Sequence, residues 1–280
     1  MNKEVIKLIR PKHYIKNILI FLPLFFSGEV FNKNEFIVCL LGFFSFSFLS
    51  SIVYIINDLK DKELDSKHNL NYKRPLASNK VTSKDAIKML IIMIALCLIF
   101  SILLFVKTKS IYALILEIIY LILNIFYSLK LKEIPIIESV LIVSFYLIRL
   151  YYGSIITNIN ISVYLLLTTI FASLYLILAK RRGEMLSNGT KSRKVLTKYN
   201  IKYLNIFMHL FLILLTCTYI TWSIINKYII LIPFFILIIF IYNNDLKKEY
   251  FGDPITIIYN DKILLLFIIL YIVLNGIVLY

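Results

Sequence analysis

The 280-residue sequence contains little charge and few acidic residues. Only 17% of its residues are charged, with 16 Asp and Glu against 31 Lys and Arg, whereas 60% are hydrophobic and the mean hydropathy is +0.84. This composition excludes an ordinary soluble domain and indicates a chain that is embedded in lipid. The three cysteines, Cys39, Cys97 and Cys217, lie in apolar segments without CxxC spacing, so they carry no disulfide or zinc signal.

Several common functional motifs are also missing. The sequence contains no GxxxxGK[ST], GxGxxG or HExxH, which removes the usual grounds for a nucleotide-binding or zinc-protease function. No nucleic-acid-binding motif accompanies the net charge of +15, so we expect no nucleic-acid partner and attribute the charge to membrane orientation and anionic lipid. The basic N-terminus and the apolar run ILIFLPLFF are not followed by a small-residue cleavage site, which favours a retained span over a signal peptide.

Long apolar segments make up most of the chain. A helix needs about 20 residues, each rising 1.5 Å, to cross about 30 Å of hydrocarbon. Nine candidates run over residues 15–31, 36–57, 86–106, 111–129, 135–157, 162–180, 203–225, 228–243 and 262–280. The first and eighth are short and contain Pro23 and Pro233, so a kinked or re-entrant form, and a count of eight, are alternatives. We predict a single all-α domain over residues 1–280, a polytopic membrane bundle of about nine helices.

The distribution of Lys and Arg supports this count. Of the 31 basic residues, 25 fall in the N-terminal tail and in alternate connections, and the opposite connections hold only Lys33, Lys107, Lys109 and Lys227. Basic residues concentrate on the cytoplasmic side of membrane proteins. We therefore expect an integral protein of the cell membrane with a cytoplasmic N-terminus and basic loops, and with Tyr280 outside.

A cluster of carboxylates follows the second span, in the stretch NDLKDKELD (57–65). If the helix continues past Asn57, the side chains of Asn57, Asp58, Asp61 and Asp65 share one face, where like charges repel. Hard oxygen ligands of this kind suit Mg²⁺, which takes one or two carboxylates and completes its shell with water and substrate phosphate. The pattern predicts a metal site for a phosphorylated substrate; a solvated polar loop is the alternative.

The same loop continues to Lys73 and Arg74, directly before Pro75. Arginine binds phosphate through paired donors and lysine through a point charge, so the two residues are candidate phosphate ligands. Positive-inside topology alone is the alternative explanation for both residues.

At this point the chain resembles the UbiA-type intramembrane prenyltransferase superfamily, which includes 4-hydroxybenzoate polyprenyltransferase and has the first motif NDxxDxxxD. NDLKDKELD matches that motif at every fixed position. The likeness covers nearly the whole chain and is greatest for the branch of decaprenyl-phosphate phosphoribosyltransferases. The branch-like stretches are RPKHYIKN (10–17), KRPLAS (73–78), YSLKLKEIPIIE (127–138), LIRLYYG (147–153), AKRRGEM (179–185) and GDPITIIYNDKIL (252–264).

The resemblance implies a helical bundle around a central cavity, with Mg²⁺ and a diphosphate at its cytoplasmic mouth and a lipid chain in a lateral groove. Asp58, Asp61 and Asp65 are then the catalytic metal ligands, assisted by Asn57. The residues implied in substrate binding lie in the motifs quoted above. They are Lys12, Lys16, Asn17, Asn57, Lys73, Arg74, Tyr127, Lys130, Lys132, Glu138, Arg149, Lys180, Arg181, Arg182 and Glu184.

Two positions depart from the patterns of the family. Prenyltransferases with aromatic acceptors carry a second motif, DxxxD, where this chain has Lys180, Arg181, Arg182, Gly183 and Glu184. A second metal site is therefore not expected, and three cations fit a substrate with more phosphate, such as 5-phosphoribosyl diphosphate; an ordinary basic loop is the alternative. Glu138 stands where the branch usually has Asp, and its longer carboxylate can serve the same role.

Ionisable residues inside predicted spans are functional candidates, because a charge at mid-bilayer costs at least about 2.5–3.5 kcal/mol. Arg149 follows Glu138 by eleven residues, close to three helical turns, so we expect the two to share a face and to pair or to frame the cavity. Glu117 matches no motif, and a structural role is expected. Tyr127, Lys130 and Lys132 close the fourth span, where interfacial anchoring is the alternative role. We assign no catalytic role to His13, His68 or His209.

The sequence thus favours a Mg²⁺-dependent membrane transferase that moves 5-phosphoribose from 5-phosphoribosyl diphosphate to a polyprenyl phosphate. Lys12, Lys16 and Arg10 are expected near the lipid head group. The alternative is a prenyltransferase that moves a polyprenyl group from its diphosphate to an aromatic or other small acceptor. A transporter is disfavoured because the chain shows no internal repeat.

Overall fold

The computed structural model describes residues 3–66, 71–129, 131–188, 194–246 and 254–280, and within these ranges all regular secondary structure is helical. Seven of the described helices are long and apolar enough to cross a bilayer, namely those that begin at residues 33, 83, 111, 135, 163, 201 and 262. The all-α prediction is therefore confirmed. The α-helices run over Lys3–Leu8 (α1), Leu22–Phe26 (α2), Lys33–Lys60 (α3), Lys62–Ser66 (α4), Ser83–Thr108 (α5), Ile111–Leu129 (α6), Pro135–Thr157 (α7), Val163–Asn188 (α8), Ile201–Ile225 (α9), Ile232–Asp245 (α10), Pro254–Asn260 (α11) and Lys262–Leu279 (α12).

The first and eighth predicted spans differ from long α-helices. Residues Pro11–Phe21 form a 3₁₀ segment, which leads into the five-residue helix α2 with Pro23 in its first turn. The eighth span is a short 3₁₀ turn at Ile229–Leu231 followed by α10, with Pro233 again in the first turn. Proline lacks the N–H that an α-helix interior requires, so each of these prolines lies at the start of a helix rather than within a longer one.

Side-chain caps set several of the helix starts. Thr82 Oγ1 accepts a hydrogen bond from the Asp85 backbone N–H at 3.1 Å, and the Thr82 hydroxyl donates to the Asp85 carboxylate at 2.7 Å, which fixes the first turn of α5. Asn200 and Asp261 cap α9 and α12 in the same way, by accepting from the second or third backbone N–H of the helix. These polar caps lie at the helix ends and leave the long interiors apolar.

One compact unit contains residues Met1–Leu131 and Ile148–Asn160. Its central element is α3, which packs against α5, α6 and the 3₁₀ segment Pro11–Phe21. Four serines of α3 are buried, namely Ser45, Ser47, Ser50 and Ser51, each at most 3% exposed. Because buried hydroxyl groups need hydrogen-bond partners, these serines mark where polar side chains of the neighbouring elements meet α3.

A second unit contains residues Lys132–Leu147 and Ile161–Tyr280. Here α8 packs against α9, and α10 packs against α12. The core includes Tyr175 and Leu178 of α8, Leu204 and Met208 of α9, and Leu264 of α12. The single domain predicted over residues 1–280 stays a prediction.

Candidate active site

The acidic motif lies at the C-terminal end of α3 and in the short helix α4. Helix α3 ends at Lys60 with Asp61 as its C-cap, yet the Asp61 N–H still donates to the Asn57 carbonyl at 2.9 Å, and the Asp65 N–H to the Asp61 carbonyl at 2.8 Å. Helical hydrogen bonding therefore continues across the break. Asp58 and Asp65 are buried as a result, whereas Asp61 is half-buried.

Two arginines from different parts of the chain hold these carboxylates. Arg74 Nη1 donates to Asp65 Oδ2 at 2.6 Å and to Asp58 Oδ1 at 3.3 Å. Arg10 Nη2 donates to the same Asp58 oxygen at 2.6 Å, and the Arg10 guanidinium lies over the Tyr54 ring at 4.7 Å. Both arginines stay partly exposed, with 33% of the Arg74 and 23% of the Arg10 side chain accessible. Asp58 and Asp65 thus converge on a cationic group that also reaches the surface.

This donor set fits a divalent cation. Arg74 Nη1 is in hydrogen-bonding contact with a carboxylate oxygen of both Asp58 and Asp65, so one positive centre can reach both. Mg²⁺ usually takes one or two carboxylates and fills its other positions with water and substrate phosphate. In the described part of the chain, no three His, Cys, Asp or Glu side chains form a metal-binding group. A pair of aspartates completed by substrate and water is therefore the arrangement that these residues support.

Asn57 faces a different neighbour. The Ser128 hydroxyl, at the end of α6, donates to Asn57 Oδ1 at 2.6 Å, and the Lys60 ammonium donates to the Ser128 carbonyl at 3.0 Å. These two bonds tie the end of α3 to the end of α6 beside the acidic motif. Asn57 accordingly orients the helix end in this structure, and its predicted contact with metal stays a prediction.

A buried arginine joins α7 to the N-terminal 3₁₀ segment. Arg149 is 4% exposed, and its Nε donates to Asn17 Oδ1 at 2.7 Å while its Nη2 donates to the Tyr120 hydroxyl of α6 at 2.9 Å. Asn17 in turn donates to the Ser47 hydroxyl of α3 at 2.9 Å. The guanidinium also lies over the rings of Phe46 and Tyr120, at 5.1 and 4.9 Å. This network desolvates a positive charge inside the bundle and compensates it with oriented polar groups and aromatic faces.

Of the two expectations for Arg149 and Glu138, direct pairing is wrong, and the framing of a cavity stays a prediction. Eleven residues along a helix correspond to about 16 Å of rise, which is beyond the reach of the two side chains. Arg149 instead contacts Asn17 and Tyr120, and Glu138 contacts Arg181. Sharing a helix face was not sufficient, because direct side-chain pairing along a helix requires a separation of three or four residues.

Glu117 is the centre of a second buried network, among hydroxyl groups. It accepts hydrogen bonds from Ser45 and Tyr152 at 2.6 Å and from Ser101 at 2.7 Å, so four helices, α3, α5, α6 and α7, meet at one carboxyl group. Ser45 and Ser101 are also bonded to each other at 2.8 Å. The expected structural role of Glu117 agrees with this arrangement. No motif identified the hydroxyl donors; the serines in apolar α3 were the signal that could have found them.

In the second unit, Glu138 of α7 and Glu184 of α8 converge on Arg181. Arg181 Nη2 and Nε donate to the two Glu138 oxygens at 2.7 and 3.2 Å, and Arg181 Nη1 donates to Glu184 in a very short contact. Glu138 is fully buried and Arg181 is 2% exposed. Three nitrogens of Arg181 therefore contact carboxylates of this chain.

The remaining predicted site residues lie on exposed or half-buried surface. Arg182 donates to Asn205 Oδ1 of α9 at 2.6 Å, and Lys73 lies 5.9 Å from the Tyr72 ring. Lys130 lies outside the described residues. Lys12 and Lys73 are exposed, and Lys16, Tyr127, Lys132 and Lys180 are half-buried. Arg10, which was expected near a lipid head group, donates to Asp58, and its contact with lipid stays a prediction.

Comparison with known families gives this arrangement a context. The model described as the UbiA prenyltransferase family matches residues 18–275, which is most of the chain. The chain belongs to the UbiA prenyltransferase family. The predicted resemblance is thereby confirmed, and with it the assignment of this UbiA protein as a transferase and as an integral membrane protein.

Two curated relatives of this chain are both named decaprenyl-phosphate phosphoribosyltransferase. The chain is 29% identical to the decaprenyl-phosphate phosphoribosyltransferase of Mycobacterium tuberculosis, in an alignment that covers 97% of this chain and 93% of the relative. It is 31% identical to the protein of that name from Corynebacterium glutamicum over 205 residues, which cover 71% of this chain but only 61% of the relative. These identities show relationship and do not by themselves transfer a substrate.

Solved structures agree with the fold. The structure titled for digeranylgeranylglyceryl phosphate synthase superimposes with a TM-score of 0.65 at 23% identity, covering 99% of this chain and 98% of the other. A UbiA homologue from Archaeoglobus fulgidus, whose title states that it is bound to GPP and Mg²⁺, has a TM-score of 0.65 at 17% identity and covers 99% of both chains. At these identities the likeness concerns the fold alone.

Proposed function

We propose that this UbiA protein transfers 5-phosphoribose from 5-phosphoribosyl diphosphate to a polyprenyl phosphate, with one Mg²⁺ at the acidic motif. The observation that carries the proposal is the convergence of Asp58 and Asp65 on one cationic centre beside the partly exposed arginines Arg10 and Arg74. Carboxylates suit the metal, and guanidinium groups suit the phosphates of the donor. The names of the curated relatives support this choice of substrates.

The chemistry needs positioning and charge compensation more than proton transfer. When bound, Mg²⁺ neutralises charge on the diphosphate as it leaves. Asp58 and Asp65 would hold that ion, with Asp61 and Asn57 as the further ligands that the motif predicts, and Arg10 and Arg74 would donate to diphosphate oxygens. The bond from ribose C1 to diphosphate oxygen breaks with its electron pair, and an oxygen of the polyprenyl phosphate forms the new bond to C1. Because that oxygen is already anionic, no general base is required.

Further basic residues are candidate ligands for the other phosphates. Lys73 is exposed, and Lys180 and Arg182 flank the buried Arg181 on α8. Lys12 and Lys16 follow Arg10 on the N-terminal segment, and Lys130 and Lys132 follow α6. We assign the site to the cytoplasmic side of the membrane, on the distribution of Lys and Arg among the connections.

The second candidate function is prenyl transfer to an aromatic or other small acceptor. Structures of the Archaeoglobus fulgidus homologue contain GPP or DMAPP together with Mg²⁺, and both of these ligands are prenyl diphosphates. In this chain the replacement of the second aspartate motif by Lys180, Arg181 and Arg182 argues against prenyl transfer.

A transfer assay separates the two functions. Purified protein in detergent is incubated with Mg²⁺, 5-phosphoribosyl diphosphate labelled in the ribose, and polyprenyl phosphate, and label extracted with lipid is counted. A parallel reaction contains a labelled prenyl diphosphate and an aromatic acceptor. We expect label in lipid from the first reaction only. Product from the second reaction alone would replace the phosphoribosyl proposal with the prenyl one.

Matched variants connect the assay to the site. Asp58→Asn removes a buried charge that contacts both Arg10 and Arg74, and we expect transfer to fall by at least about 100-fold, as for the loss of one electrostatic contact in a transition state. Glu63→Gln changes an exposed carboxylate of the neighbouring helix α4, at a position where the motif has no fixed residue, and should keep transfer within about twofold. Equal rates in the two variants would remove the acidic motif from the mechanism.

A further inference from the structure

The cluster of Glu138, Arg181 and Glu184 has the charge arrangement of a small metal site with a guanidinium at its centre. Two carboxylates from two helices approach one cation, and Glu138 meets it through both oxygens, at 2.7 and 3.2 Å. The Arg181 side chain is 3% exposed, and the Glu184 side chain is 17% exposed. Removing one partner from a buried charge pair is strongly destabilising, so we expect each member of the cluster to contribute to the stability of the others.

Arg181 differs from Arg74 in the exposure of its side chain to solvent. The Arg74 side chain also lies between two carboxylates, but a third of it is accessible, so a ligand from solvent can reach its guanidinium. The guanidinium of Arg181 is enclosed by Glu138 and Glu184 and presents almost no surface to a ligand. A phosphate that contacted Arg181 would have to displace a bidentate carboxylate, which is among the stronger hydrogen-bonded arrangements in proteins.

We propose that Arg181 is a built-in cation that serves this pair of glutamates in place of a divalent ion, and that it acts as a positioning residue rather than as a phosphate ligand. Its three contacts with carboxylates hold the start of α7 to the end of α8. The adjacent Lys180 and Arg182, both half-buried, are thereby held on the last turns of α8 beside it. The inference rests on the proposed function. It implies that the transfer reaction uses a single Mg²⁺, bound at the acidic motif.

The test asks whether a divalent ion can replace the guanidinium. Arg181→Ala removes the cation that contacts both carboxylates, whereas Arg182→Ala removes a neighbouring charge that donates to the neutral amide of Asn205. The double variant Arg181→Ala/Glu138→Gln removes one carboxylate as well, and Arg181→Lys keeps a cation. Bound Mn²⁺ is counted by electron paramagnetic resonance on detergent-purified protein without substrates, and thermal unfolding is followed in EDTA and in Mn²⁺.

We expect Arg181→Ala to bind one more Mn²⁺ per chain than the wild type, because Mn²⁺ accepts carboxylate ligands as Mg²⁺ does. In EDTA its unfolding midpoint should fall by about 10 °C, and Mn²⁺ should restore at least about half of that loss. The double variant should lose both the extra ion and the rescue. Arg182→Ala and Arg181→Lys should bind the same number of ions as the wild type.

An Arg181→Ala protein that binds no additional ion, or that fails to fold at every Mn²⁺ concentration while Arg181→Lys folds, would overturn the inference. An extra ion that persists in the double variant would overturn it too, because that ion would then not depend on Glu138. The transfer assay is independent of these measurements. If the wild type transfers no phosphoribose while Mn²⁺ still stabilises Arg181→Ala, the proposed function is overturned and the inference about Arg181 stands.

Discussion

At Gly153, α7 lies directly against the backbone of the N-terminal 3₁₀ segment. A Cβ added there would lie 2.1 Å from the Ile20 carbonyl oxygen, 2.8 Å from its carbon and 3.0 Å from the Ile20 Cα. Ordinary van der Waals contact begins at 3.4 Å, so the two backbones would have to separate by more than 1 Å. Because the obstacle is backbone, no side-chain rotation can relieve it.

The cost of Gly153→Ala follows from this geometry. Overpacking typically costs about 1–3 kcal/mol, and displacement of the segment would also strain the 2.7 Å bond between Arg149 and Asn17, a charged hydrogen bond worth about 1.5–3 kcal/mol. The better helix propensity of alanine returns about 0.5–1 kcal/mol. We expect a net loss of about 2–5 kcal/mol, or roughly 10 °C in the unfolding midpoint.

Two other glycines provide the controls, measured by thermal unfolding of purified protein in detergent. At Gly42 a Cβ would meet the ends of the Ile156 and Tyr152 side chains, at 2.6 and 3.0 Å, so Gly42→Ala should cost less than Gly153→Ala. At Gly276 nothing lies within 4 Å, and Gly276→Ala should be neutral or slightly stabilising. If Gly153→Ala unfolds within about 2 °C of the wild type, the close approach of α7 to the 3₁₀ segment is refuted.

Three further predictions concern the buried network, the metal and the orientation. Tyr152→Phe removes one hydroxyl donor from Glu117 and should lower the free energy of unfolding by about 1–3 kcal/mol. Tyr151→Phe, on the exposed side of α7, should change it very little. Similar losses in the two variants would contradict the role of the buried hydrogen bond. Chelation with EDTA should abolish phosphoribosyl transfer, and added Mg²⁺ should restore it; undiminished turnover in EDTA would exclude the metal. A membrane-impermeant maleimide should label Lys73→Cys only in inverted vesicles and Lys107→Cys only in intact cells, and the opposite pattern would reverse the proposed orientation.

Hydropathy identified most of the spans because their length is a property of consecutive residues. The second to seventh and the ninth predicted spans correspond to the seven long apolar helices, whereas the first corresponds to the 3₁₀ segment and α2. An apolar stretch of 17 residues has the same hydropathy whether it crosses lipid as one helix or packs as a 3₁₀ segment against α3. Pro23 signalled an irregular backbone in the first span but did not specify which irregularity.

The candidate site shows the same division between local and distant information. Helical spacing correctly brought Asp58 and Asp65 together, because seven residues are close to two turns. It did not predict that Arg10 would contact Asp58, since 48 residues separate them. The partner of Glu138 was expected on the same helix, at Arg149, and was found on α8, at Arg181, 43 residues away.

The sequence by itself determined the solvent, the helical class and the place of the acidic motif, since each follows from composition or from spacing within one helix. Only the tertiary structure decided which cation meets each carboxylate, with Arg10 and Arg74 at Asp58 and Arg181 at Glu138. Those pairings depend on how closely helices approach, and the approach is set by small residues such as Gly153 and the serines of α3. No periodicity within a single segment encodes a distance between two segments.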